Sequence, residues 1–243
     1  MSKTNALQTI RKELKALADP WFAQFTSRTV PNTRFRFLGV RMGGVRDIAA
    51  SFPAAEREAV VSLFLDTAGS PLPYIEELLV QAILIGKLRL SPLETIACVQ
   101  AFLPWVDNWM TCDLLAGELK TVRKSPNVFW DFSIDCTQTE EPFTQRLGIV
   151  LLLKHFIDER RVLRILDQLE RVPIRDEHYV RMGIAWCAAE CYLRFPDKVR
   201  PFLLNNTLNA ETHNLMLRKI CESIRTPDEE REEMRSLRRN ERT

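Results

Sequence analysis

The feature that most constrains this chain is its punctuation. Stretches of 10–18 residues with apolar side chains on one stripe follow each other, and Pro, Gly or Asn/Asp clusters separate them. Pro53 opens a helix over 54–68, where Val60, Leu63 and Phe64 share a stripe and Gly69 closes it. Ser70-Pro71-Leu72-Pro73 is a connector. It leads into 74–86, where Ile75, Leu78, Leu79, Ala82, Ile83 and Ile85 make a core helix. Ser91-Pro92-Leu93-Glu94 has the form of a capping box, with Pro as the first helical residue, and launches 93–106. The same signals predict helices over 5–18, 109–121, 127–136, 140–156, 159–171, 176–195, 197–204, 210–224 and 228–239. No strand is expected, because apolar and polar residues hardly ever alternate over six positions. Only 33–40 tempts one, and its reading is a turn into a short helix.

Such a sequence predicts an all-α fold of helical hairpins stacked side by side. A repeat spacing of about 35–45 residues points to an α-α superhelix of HEAT-like repeats, with a compact irregular bundle as the alternative. Residues 1–243 are read as a single domain, with the charged end over 227–243 as a solvated final helix that frays.

Composition narrows the function classes. Apolar residues at 46% supply a continuous core, yet the apolar run over 149–153 stops at Lys154. A membrane span needs about 20 apolar residues, so none is expected. The first helix carries Arg11, Lys12, Glu13 and Lys15, which excludes a secretory signal reading. Six scattered cysteines make no C-x-x-C pair, and His155, His178 and His213 lie far apart. Reduced thiols in a cytoplasmic protein, with no metal site, are therefore expected. Net charge is +2 but unevenly spread: residues 1–50 hold nine Lys/Arg against three Asp/Glu, and 51–113 hold three against eight. The basic N-terminal part suits phosphates, or forms an ordinary solvated surface.

The unusual passage is Asp107-Asn108-Trp109-Met110-Thr111-Cys112-Asp113. Pro104 can end one helix, and Asp107 or Asn108 can cap the next. Trp109 and Asp113 then stand at i and i+4, over one helix face. An indole beside a carboxylate suits a cationic ligand. A half-buried Trp beside a capping or salt-bridging Asp is the plainer reading. Trp186 sits among small residues in Gly183-Ile184-Ala185-Trp186-Cys187-Ala188-Ala189, where a neighbouring helix can come close. Arg146, just before the apolar run 147–153, can contact a phosphate or pair with Glu140, Glu141 or Asp113.

At these residues the chain resembles a known family. The run from Phe102 through Asp113 is similar to the core of the HEAT-like-repeat DNA alkylation repair family, the AlkD-like DNA glycosylases. Phe37-Leu38-Gly39-Val40-Arg41-Met42 with Val45-Arg46-Asp47-Ile48-Ala49 resembles its opening motif, and Tyr74-Ile75-Glu76-Glu77-Leu78-Leu79-Val80-Gln81 its paired-glutamate helix. Asp176-Glu177-His178-Tyr179-Val180 with Ala185-Trp186, and then Arg218-Lys219-Ile220, follow in the family's order, so the likeness runs over residues 7–226.

The resemblance implies a glycosylase that hydrolyses the N-glycosidic bond of N3- or N7-alkylated purines in duplex DNA. It implies Asp113 as the catalytic carboxylate, Trp109 and Trp186 as flanking π faces, and Arg146 as a backbone contact. Water is the co-substrate, so no cofactor or metal is implied. The family also has branches that keep the fold without excising bases. A non-catalytic module binding DNA or protein is the alternative, and the acidic excess over 51–113 favours it.

Overall fold

The computed structural model describes residues 3–66, 72–173 and 177–240. Gly69 and Ser70-Pro71, expected to end one helix and begin a connector, lie outside these residues, as does Asp176 at the expected start of another. The described residues form fourteen α-helices and two short 3-10 segments. The all-α class is as expected, and the one β-type contact is an isolated parallel bridge between Arg36 and Tyr74. The expectation of one domain meets a division into two compact units, Met1–Pro126 and Asn127–Thr243.

Unit 1 holds α1 (Lys3–Ala16), α2 (Pro20–Ser27), α3 (Met42–Ser51), α4 (Ala54–Asp66), α5 (Ile75–Gly86), α6 (Pro92–Phe102) and α7 (Trp109–Glu118). Every second helix packs side by side, α3 on α5 and α5 on α7, while α1 and α4 cover α5. Such layering is what stacked helical hairpins produce. Helix α5 is the centre: all residues from Ile75 to Ile85 are buried, as its all-round apolar sequence requires. Gly86 lets α7 come in, since a Cβ there would sit 2.4 Å from the Glu118 carbonyl oxygen. The capping box of α6 is in place, with Glu94 N donating to Ser91 Oγ and Ser91 N to Glu94 Oε2.

Two segments depart from the sequence reading. Pro20–Ser27 is a helix that the sequence reading does not include, eight residues long with none of them buried. It forms from its ends, with Asp19 accepting from Phe22 N and Pro20 in the first turn. Residues 33–40 form no helix: Arg34 and Phe35 bend, Arg36 bridges to Tyr74, and the short helix begins only at Met42. Glu76 is the cause. Its buried carboxylate accepts from the backbone N–H groups of Leu38, Gly39 and Val40, the shortest at 2.7 Å from Gly39. Three successive amides can converge on one carboxylate because Gly39 adopts φ +83°.

Unit 2 holds α8 (Pro126–Thr137, whose first residue belongs to unit 1), α9 (Pro142–His155), α10 (Val162–Arg171), α11 (His178–Arg194), α12 (Pro196–Asn205), α13 (Ala210–Glu222) and α14 (Asp228–Ser236). Again alternate helices stack, α9 on α11 and α11 on α13. The final helix is anchored at several points. Met234 is fully buried, Tyr192 donates to Glu230, and Arg200 pairs with Glu233. Beyond α14, Arg239 Nη1 and Nη2 donate to the carbonyls of Leu208 and Asn206 at 2.7 and 2.9 Å. Charge composition alone hid this, because an amphipathic helix needs only one well-placed apolar residue and cross-chain polar partners to dock.

His213, 1% exposed, ties this end together. Its Nε2 donates to the Leu237 carbonyl at 3.0 Å, and its Nδ1 accepts from the Asn206 amide at 3.1 Å. Burial lowers its pKa below the ordinary 6.5, the Leu237 carbonyl opposes that, and Arg239 adds to the lowering. The folded state therefore holds His213 neutral while the unfolded chain takes up a proton below about pH 6.5. This contribution to stability is intact above that pH and is lost as pH falls toward the depressed folded pKa, by at most about 1.4 kcal/mol per pH unit. Denaturant midpoints measured from pH 7.5 to 5 should fall for the wild type and flatten for His213→Gln. Identical pH slopes would remove His213 from this role.

Candidate functional site

In unit 1 the site is built at the start of α7. Pro104 lies in the 3-10 segment Leu103–Trp105 that ends α6, and the chain re-enters a helix at Trp109. Of the two candidate caps, Asn108 takes the role: its Oδ1 accepts from Thr111 N at 3.0 Å. Asp107 instead accepts from Thr33 Oγ1 at 2.7 Å, Arg34 N at 2.8 Å and the Asn108 side-chain amide at 3.0 Å. The extended segment after α2 is thereby pinned to the head of α7.

Trp109 is half-buried and its indole Nε1 donates to the Thr29 carbonyl at 3.0 Å. Asp113 follows one turn later, also half-buried, while Thr111, Cys112, Leu115 and Ala116 pack inward. The structure thus brings Trp109 and Asp113 to one side of α7, as their spacing predicts. Sequence reasoning missed Thr29, whose part is played by a backbone carbonyl that leaves no trace in residue type.

The charge imbalance looks different in three dimensions. Arg11 pairs bidentately with Glu77 at 2.8 and 2.9 Å, Arg46 with Glu118 at 2.7 Å, and Arg41 with Asp19 at 3.4 Å. Much of the acidic excess over 51–113 points inward: Glu76 binds backbone amides, Glu77 binds Arg11, and Asp107 binds the 33–34 segment. Neither a bare cationic N-terminal face nor an acidic groove follows from the local sums.

In unit 2, Trp186 projects half-buried from α11, while Ala185, Cys187, Ala188 and Ala189 pack inward. Lys154 of α9 places its ammonium 4.7 Å from the Trp186 ring centre, a contact no sequence spacing announces. Arg146, expected to reach a phosphate, is only 5% exposed, and its Nη1 donates to the Tyr179 carbonyl at 2.6 Å. That bond ties α9 to the first turn of α11, and so little exposed surface offers DNA almost none of the guanidinium. Arg175, another basic residue of this half, lies outside the described residues.

Other chemistries find little support among the described residues. No group of three or more His, Cys, Asp or Glu is arranged to hold a metal ion. Burial pushes the Cys136 thiol up to about 12 and Cys187 well above the ordinary range, so neither is a thiolate near neutrality. No described helix is long and apolar enough to cross a membrane.

Comparison with known proteins gives one match of long reach. The profile of the family described as "DNA alkylation repair enzyme" fits residues 10–224. No curated protein matches the chain. The family match takes in α7, α9 and α11, and with them Trp109, Asp113, Arg146 and Trp186. Covering nearly the whole length, it establishes that this chain belongs to the DNA alkylation repair enzyme family.

Proposed function

We propose that the protein is a DNA glycosylase that hydrolyses the N-glycosidic bond of N3- and N7-alkylated purines in duplex DNA. The observation that carries this reading is the placement of Trp109 and Asp113 one turn apart on α7, with the indole held by the Thr29 carbonyl. Alkylation at N3 or N7 makes the purine cationic and hence a good leaving group. As the bond from C1′ to N9 breaks, its electron pair neutralises the base and positive charge develops on the sugar. A preoriented carboxylate stabilises that charge and directs a water to C1′. Asp113 is assigned this role. The water's proton is released, and the products are the free alkylated base and an abasic sugar. Trp109 presents a π face to the cationic lesion. Nothing in this chemistry calls for a metal or an organic cofactor. Trp186 of unit 2 is assigned a π contact with DNA. Arg146 is assigned a positioning role on α11.

A non-catalytic module is the second reading, and the ammonium over Trp186 favours it, because that ring face is already covered. Incubation with duplex DNA carrying 7-methylguanine or 3-methyladenine separates the two. Release of free base, with abasic sites formed in equal number, is the expected result. Intact DNA after prolonged incubation with folded protein would leave only the non-catalytic reading.

A further inference from the structure

A cavity of about 440 Å³ lies in unit 2 between the start of α11, α13 and α14, away from Trp186 and Arg146 in the lining. Its walls include Arg218, Arg235, Arg238 and His178, over a floor formed by the buried Leu217 and Met234. Glu211 is the one acidic lining residue, and Arg181 neutralises it at 3.0 Å. The cavity is therefore strongly cationic.

The arginines around it are not equivalent. Arg231 pairs with Asp228 at 2.6 Å, Arg225 with Glu190 at 2.7 Å, Arg200 with Glu233, and Arg239 is engaged by two carbonyls. Arg218 has only a loose contact with Glu222 at 3.7 Å. Arg235 and Arg238 are exposed and, among the described residues, their side chains make no hydrogen bond or ion pair. Of the three arginines that line the cavity, Arg235 and Arg238 have no carboxylate partner among the described residues. Helix α14, which carries Arg235 and leads into Arg238, is anchored through Met234, Glu230 and Glu233.

From this arrangement we infer that the cavity is a phosphate-binding site. Guanidinium forks match pairs of phosphate oxygens, and an apolar floor excludes water that would weaken the contact. The volume falls within the range of about 300–1,000 Å³ common to small-ligand sites and leaves room for the sugar attached to the phosphate. Arg235, Arg238 and Met234 lie beyond the residues matched by the family, which end at 224, while the rest of the lining lies within them on α11 and α13. A DNA strand and a free nucleotide both present the required group.

The test uses the full chain and probes without any lesion, so its outcome is independent of base excision. Binding of an unmodified duplex is measured by fluorescence anisotropy across a salt series, and binding of adenosine 5′-monophosphate by calorimetry. Both are repeated with Arg235→Gln/Arg238→Gln. If the phosphate comes from DNA, the slope of log affinity against log salt becomes shallower by about 1.8, two contacts' worth. If it comes from a nucleotide, the double variant binds the monophosphate at least about tenfold more weakly. A control, Arg171→Gln/Arg225→Gln, removes two charges that are engaged with Asp167 and Glu190 and should change neither. Either loss, confined to the first variant, supports the site. Unchanged binding of both probes, absence of binding by the wild type, or an equal loss in the control overturns it.

Discussion

Glu76→Ala is expected to destabilise unit 1 by about 3–5 kcal/mol, the largest effect of any single side-chain truncation considered for this fold. The carboxylate is 3% exposed and gathers the N–H groups of Leu38, Gly39 and Val40. Its removal leaves these donors without an acceptor, and Gly39 and Val40 are themselves buried. Water cannot replace the carboxylate without opening the packing of α5. Glu77→Ala is expected to cost less, about 1–2 kcal/mol, although Glu77 also accepts from Arg11 and from Tyr74 N. Arg11 is partly solvated, so the charge it leaves behind finds water. Chemical denaturation of the three proteins measures both differences. A Glu76→Ala midpoint equal to that of Glu77→Ala would refute the assignment of the carboxylate as the clamp of the 38–40 segment.

The second large effect concerns chemistry. Asp113→Asn is expected to slow base release by about 10²–10³-fold while binding of unmodified duplex changes by less than about threefold. The amide keeps the shape of the side chain but removes the negative charge that would face the sugar cation. Asp113 is half-buried, and thermal unfolding of the variant checks that it folds before its rate is compared. Trp109→Phe keeps an aromatic face and loses the hydrogen bond to the Thr29 carbonyl, for an expected loss of about tenfold. Single-turnover assays at saturating enzyme separate these losses from binding. Equal rates for wild type and Asp113→Asn would keep any observed activity but assign it to another residue.

Helix α6 shows how much could be read directly. Its capping box, proline and apolar stripe are contiguous, and they form as predicted. Helix α2 shows the limit: Trp21, Phe22 and Phe25 are apolar but none of its eight residues is buried, and its start is marked by Asp19 and Pro20. The path of residues 38–40 is not legible locally, because it depends on Glu76, some 36–38 residues further on.

The sequence by itself determined the all-α class, most of the helices and the shared face of Trp109 and Asp113. Each follows from interactions within one or two turns, where spacing alone sets geometry. Only the tertiary structure decided the rest. It turned Glu76 and Glu77 inward, fixed Trp109 on a carbonyl 80 residues away, buried Arg146 against Tyr179 and laid Lys154 over Trp186. It also docked α14, leaving Arg235 and Arg238 at a cavity. These outcomes join residues distant along the chain, and a carboxylate or guanidinium carries no local signal of which distant partner packing will bring to it.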